Sequence, residues 1–206
     1  MPQNKDLKRL VRARMAAAGE NYTQALAHVR AGEWLDPLPP AWHLTGSRAD
    51  DYELGLLPGV VQDGHRVVRL RLHPDVGRPA GFGALMQSIA ATRYLDRRVR
   101  FSALLRTRDV TGWAGLWLRV DGARKPLIID NMRNRPLRDS NGWAEASIVL
   151  DVAPDAQSLH FGMLLRGGGA VDLARPSFGV AAATTPVTVT AGQDALPDQP
   201  QAFDFG

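Results

Sequence analysis

The chain has 206 residues, 45% hydrophobic and 22% charged, the proportions of a folded globular protein and not of a low-complexity or collagen-like one. No run approaches the roughly 20 apolar residues that a membrane-spanning helix needs, and the start MPQNKDLKRLVRARM lacks the apolar stretch of a signal peptide, so a cytoplasmic protein is expected. Zero cysteines remove disulfides, thiolate metal sites and cysteine nucleophiles, and the net charge of +4 resides wholly in residues 1–32, with six basic and two acidic side chains.

Residues 1–32 are predicted to form a basic helical hairpin. Asn4 can cap a first helix in which Leu7, Leu10, Val11 and Met15 recur at the spacing of one helical face, and Gly19 ends it. A second helix starts near residues 21–23, places Tyr22, Leu26 and Val29 on one stripe and stops at Gly32. Lys5, Lys8, Arg9 and Arg12 fall on the opposite face of the first helix, as contact with a nucleic-acid phosphate backbone through residues 5–30 would require and as an ordinary solvated face would also allow. Residues 33–41, EWLDPLPPA, carry three prolines, which break helix and ladder alike and mark a linker.

From residue 42 to 183 the apolar period changes from 3.6 to 2, which predicts a β-domain. Val68, Leu70 and Leu72 alternate with Arg69 and Arg71, and Val99, Phe101 and Ala103 with Arg100 and Ser102. Leu116, Leu118 and Val120 alternate with Trp117 and Arg119; Ile148, Leu150 and Val152 with Ser147, Val149 and Asp151; Leu159, Phe161, Met163 and Leu165 with Ser158, His160 and Gly162. Turns are expected at 74–81, 109–113 (DVTGW), 120–126, 134–143 (NRPLRDSNGW) and 166–169. About eight short strands without long helices between them predict a mainly β fold, an antiparallel sandwich of the jelly-roll type. The tail 184–206 offers an edge strand in TTPVTVTAG and then a polar, proline-bearing end with Phe203 and Phe205.

The polar strand faces hold the candidate chemistry. Trp117 and Arg119 point together on the side that alternation assigns to solvent, which calls for a binding surface or for a covering element. Asp130, Asn131 and Arg135 follow at the end of the next strand, and Gln87, between Leu85 and Ile89, is expected as an amide on an inward face. An indole platform with convergent planar polar side chains suits a sugar-like ligand, whose C–H faces stack while its hydroxyls accept and donate paired hydrogen bonds. A sheet face roofed by the hairpin, with Asp130 and Arg119 as a buried ion pair, accounts for the same residues.

Catalytic and metal motifs are sparse. The sequence has no G-x-S-x-G elbow, P-loop or H-E-x-x-H, and the five histidines lack metal-ligand spacing, so neither a metal nor a cofactor is called for. Asp50, Asp51 and Glu53 read as a solvated acidic loop, with a hard-cation site as the less favoured alternative. A carboxylate-dependent hydrolase would require Asp130 and Glu145 to meet in space.

The stretches WHLTGSRADDYELG (42–55), GFGALMQSIAATRYLDRRVRFSALLRT (81–107), DVTGWAGLWLRVDG (109–122), IDNMRNRPL (129–137), SIVLDV (147–152) and FGMLLRGGGAVDLARPSF (161–178) together resemble small bacterial jelly-roll β-sandwich modules akin to carbohydrate-binding modules, found alone or fused to transcription regulators. The resemblance implies a non-catalytic and sensory role, with Gln87, Trp113, Trp117, Arg119, Asp130, Asn131 and Arg135 as the ligand-binding positions. Where some relatives of this kind carry a full DNA-binding domain, only the helical hairpin is expected here.

Overall fold

A computed structural model describes residues 4–30, 35–77 and 79–189; within the first helix the side chain of Lys5 lies outside that description, as do residues 190–206 with Phe203 and Phe205. Two helices, α1 (Asn4–Ala18) and α2 (Tyr22–Arg30), precede β1 (His43–Thr45), β2 (Tyr52–Gln62), β3 (His65–Leu72), β4 (Phe82–Ala90), β5 (Arg98–Asp121), β6 (Pro126–Asp130), β7 (Leu137–Asp151), β8 (Ser158–Arg166) and β9 (Ala170–Val180). The fold is an antiparallel β-sandwich with a short N-terminal helical hairpin.

The helices end where local chemistry dictates. Gly19, at φ +66°, takes the left-handed conformation and its N–H closes on the Met15 carbonyl at 3.0 Å. Asn21 caps α2 reciprocally: its Oδ1 accepts from the Gln24 N–H at 3.0 Å, and Gln24 Oε1 accepts from the Asn21 N–H at 3.3 Å. Val11 of α1 and Ala25 of α2 are fully buried, whereas Tyr22, expected on the apolar stripe of α2, is 44% exposed. The stripe is therefore centred on the small Ala25, which lets the two helices approach.

One strand organises the sandwich. The first half of β5 pairs with β9 and β7, giving the order β2-β3-β9-β5-β7; its second half pairs with β8 and β6, giving β1-β4-β8-β5-β6. The two sheets close over one apolar core. Phe161 of the second sheet stacks on Phe178 of the first at 4.5 Å between centroids and lies 5.0 Å from Phe101, and Leu70, Leu105, Leu116, Leu118, Ile148 and Leu173 are essentially inaccessible.

Two expected turns are strand. DVTGW lies inside β5, and much of NRPLRDSNGW lies inside β7. The residues do bend the chain, since Asp109 and Asp139 have φ of +50° and +55° and the β5–β7 register slips between Leu105 and Ala114. Pairing nonetheless continues, because these irregularities are bulges that carry both strands from one sheet to the other. Ser140 ties the crossing by donating from Oγ to Asp109 Oδ1 while accepting from the Asp109 N–H. The expected edge strand of the tail does not form among its described residues, 184–189; Thr188 only brackets Val149, its N–H donating to that carbonyl and its Oγ1 accepting from that N–H. The proline-rich stretch lies along β2 from residue 35 onward, where Asp36 and Leu56 exchange two 2.8 Å backbone bonds and Arg66 pairs with the Asp36 carboxylate at 2.7 Å.

Candidate functional site

On the outer face of the second sheet the pairing sets side chains in rows across three strands: Phe82, Arg166 and Trp113; Ala84, Leu164 and Gly115; then Ser88, His160 and Arg119. Between the last two rows Trp117 lies opposite Gly162. Gly162 is required there, since a Cβ at that position would come within 1.9 Å of the Leu85 carbonyl oxygen. The Trp117 indole, 7% exposed, packs with Ala84 and Leu164 and donates from Nε1 to that same Leu85 carbonyl at 3.1 Å.

Above this floor opens a hollow of about 580 Å³, a volume suited to a small ligand. Trp113, Phe82 and Met86 form its apolar side, Thr45 and Gly46 close the β1 edge, and Ile129, Asn131 and Arg133 rise on the β6 edge. Arg119 and Arg166 complete the polar lining, and among the described residues no carboxylate contributes to it. No residue of either helix lines the hollow, so the Trp117 face is not roofed by the described hairpin.

The expected site residues separate into two groups. Trp113, Trp117, Arg119 and Asn131 line the hollow together. Gln87 lies on the inward face opposite Phe161, across the sheet from the hollow. Asp130, 3% exposed, also lies inward, opposite Leu118, and is held by Arg135 through bonds of 2.6 and 3.2 Å and by the Met132 N–H at 2.8 Å. Asp130 and Arg135 thus form a structural clamp: Asp130 anchors the start of the β6–β7 connection, whose Asn131 and Arg133 reach the hollow. The ion pair of Asp130 with Arg119 does not form, because Arg119 Nη2 bonds Asp121 Oδ2 at 2.8 Å. Nor does a carboxylate pair line the hollow; Glu145 is exposed and bound to Arg100 at 2.7 Å. Asp51 and Glu53 serve ion pairs with Arg48 and Arg71.

Of the row at the end of the hollow, Arg119 was legible in the sequence, and the contacts of His160 were not. His160 Nδ1 lies 2.8 Å from Ser88 Oγ, and its Nε2 lies 2.9 Å from Ser158 Oγ and 3.3 Å from Asp121 Oδ2. Burial holds the imidazole below its ordinary pKa, Arg119 acts in the same direction, and the Asp121 carboxylate opposes both. Ser88 is exposed and does not line the hollow, so this row braces one end of the floor. The only clue in the sequence is the alternation of Ser158, His160 and Gly162, which marks a face but not its partners across the sheet. Arg133 and Arg166 were also missed, because each follows its strand or turn as one arginine among many.

No protein-family model matches the chain. It is 33% identical over 175 residues, 84% of its length, to the uncharacterised HTH-type transcriptional regulator YbfP of Bacillus subtilis (strain 168), and it spans 58% of that protein. Among solved structures, the enzymatically active domain of bacteriophage CBA120 tailspike protein 4 matches with a TM-score of 0.52 and 13% identity, over 69% of this chain and 20% of that one. The CBM22-1–GH10 modules of Clostridium thermocellum xylanase 10B, complexed with xylohexaose, match with a TM-score of 0.50 and 10% identity, over 70% of this chain and 27% of that one. At such identities the likeness is one of fold, and the fold is the β-sandwich that the resemblance to carbohydrate-binding modules implied.

Proposed function

We propose that this chain is a non-catalytic saccharide-binding β-sandwich that serves as the ligand-sensing part of a cytoplasmic regulator. The observation that carries this reading is the hollow itself: two indoles and a phenyl ring on an open sheet face, edged by Asn131 and Arg119. Aromatic faces take the C–H surface of a sugar ring, and planar amide and guanidinium groups bond neighbouring hydroxyls in pairs. Similarity to a protein named as a transcriptional regulator supports the sensory role. We place the body at 42–183, with residues 1–32 as an attachment and 33–41 as the connection between them.

The test is calorimetric titration of the full chain with neutral xylo- and galacto-oligosaccharides, alongside the Trp113→Ala variant. Trp113 is half-buried at the rim, so its loss is expected to weaken binding about tenfold or more while leaving the melting midpoint nearly unchanged. Equal affinity in wild type and variant would remove the hollow from the account.

A second reading rests on α1, where Lys8, Arg9 and Arg12 are all exposed. If they touch phosphates, DNA affinity is expected to fall steeply with salt, and replacing all three by Gln is expected to flatten the log–log slope by about 0.9 for each phosphate no longer neutralised. An unchanged slope would assign them to solvent.

A further inference from the structure

We infer that the hollow is built for a sugar ring carrying an acidic group, a uronate carboxylate or a phosphate ester, with the oxyanion held beside Trp113 by Arg133 and Arg166. This rests on the saccharide-binding reading and narrows it. Arg166 stands directly across from Trp113 on β8. Arg133 approaches from the opposite side of β5, just past Met132, whose side chain lies against Gly115, two positions beyond Trp113. Two arginines that line the hollow with the half-buried Trp113 therefore come from opposite sides of β5.

Their charge is not spent on a hydrogen bond or ion pair among the described residues. Arg119, the third arginine of the lining, is paired with Asp121, whereas neither Arg133 nor Arg166 forms a side-chain hydrogen bond or ion pair with a described residue. Elsewhere on the sandwich many arginines are engaged: Arg69 and Arg106 both grip Asp172, Arg98 grips Asp151, and Arg135, after β6, grips Asp130. Two guanidiniums without a partner among the described residues, in a hollow to which no described carboxylate contributes, attract an anion, and each can bind a carboxylate or phosphate in a two-pronged fashion. A neutral sugar would leave both unsatisfied. The ring of the ligand rests on Trp113 and Phe82, and its acidic substituent bridges the guanidiniums.

The experiment titrates the full chain with trigalacturonate, galactose 6-phosphate and neutral galactotriose, using wild type, Arg133→Gln, Arg166→Gln and the double variant. Both arginines are exposed, so the variants are expected to keep the wild-type melting midpoint. At least one acidic probe is expected to bind tenfold or more tightly than galactotriose, to weaken with added salt, and to lose that preference in the double variant. Preference for trigalacturonate identifies a carboxylate ligand, and preference for galactose 6-phosphate a phosphate. Equal binding of acidic and neutral probes by wild type overturns the inference and leaves saccharide binding standing. A preference that survives the double variant also overturns it, because the anion is then held elsewhere. Silence from all three probes overturns both.

Discussion

Trp117 sits on the solvent side of a sheet yet is nearly inaccessible, and its indole N–H is spent on a backbone carbonyl. It therefore supports the hollow more than it greets a ligand. Trp117→Ala is expected to cost about 3–5 kcal/mol in urea unfolding, and Trp117→Phe, which loses chiefly the hydrogen bond, about 1–2 kcal/mol. A cost for Trp117→Ala below about 1 kcal/mol would mean that the floor is not packed. His160 offers a pH test. Its folded pKa lies below the ordinary 6.5, so the unfolded chain binds the proton more readily. Stability is thus full above about pH 6.5 and is lost as pH falls from there through the folded value. Melting curves between about pH 5 and 8 are expected to show this loss, and His160→Asn to flatten it. At this scale alternation correctly paired Trp117 with Arg119 and put Gln87 on an inward face, but Asp130, grouped with the candidate site, faces inward while its neighbour Asn131 lines the hollow. The strand period that brings Ile129 and Asn131 to the hollow turns Asp130 away from it.

The element that decides the architecture is β5, long enough to belong to both sheets. Its two halves were readable as separate strands because each alternates cleanly. The join was misread as a turn, since Gly and Asp mark a bulge as readily as a reversal and only the partner strand distinguishes them. The strand pair at the hollow depends on close approach at Gly162. Gly162→Ala forces a methyl against the Leu85 carbonyl and is expected to cost about 3 kcal/mol or more, the upper range of overpacking. Gly142→Ala on β7, where a methyl meets nothing within 4 Å, is expected to change stability by less than about 0.5 kcal/mol. Similar costs at both glycines would contradict the packing of Trp117 across β8. The stop of α1 at Gly19 and the start of α2 near Asn21 were legible because capping and stop signals are local, while the expected stop of α2 at Gly32 lies outside the described residues; the choice of Ala25 over Tyr22 for the buried seam depends on how closely α1 approaches.

At the scale of the whole molecule, Val11 and Ala25 of the hairpin join none of the buried clusters of the described residues of the sandwich, which closes on its own aromatic stack. Deleting residues 1–32 is expected to leave the main melting transition within a few degrees of the intact chain, as checked by calorimetry. A collapse of that transition would show that the body needs the hairpin. The central claim is that ligands enter the outer face of the second sheet. Its most direct measurement is an NMR titration of the indole N–H signals with trigalacturonate and with galactotriose. The signals of Trp113 and Trp117 are expected to move with a common dissociation constant. Trp42, packed edge-on against Phe161 in the core, and Trp143, under Arg106 on the other sheet, are expected to stay still. Movement confined to Trp143, or stationary Trp113 and Trp117 at saturating ligand, would contradict the account.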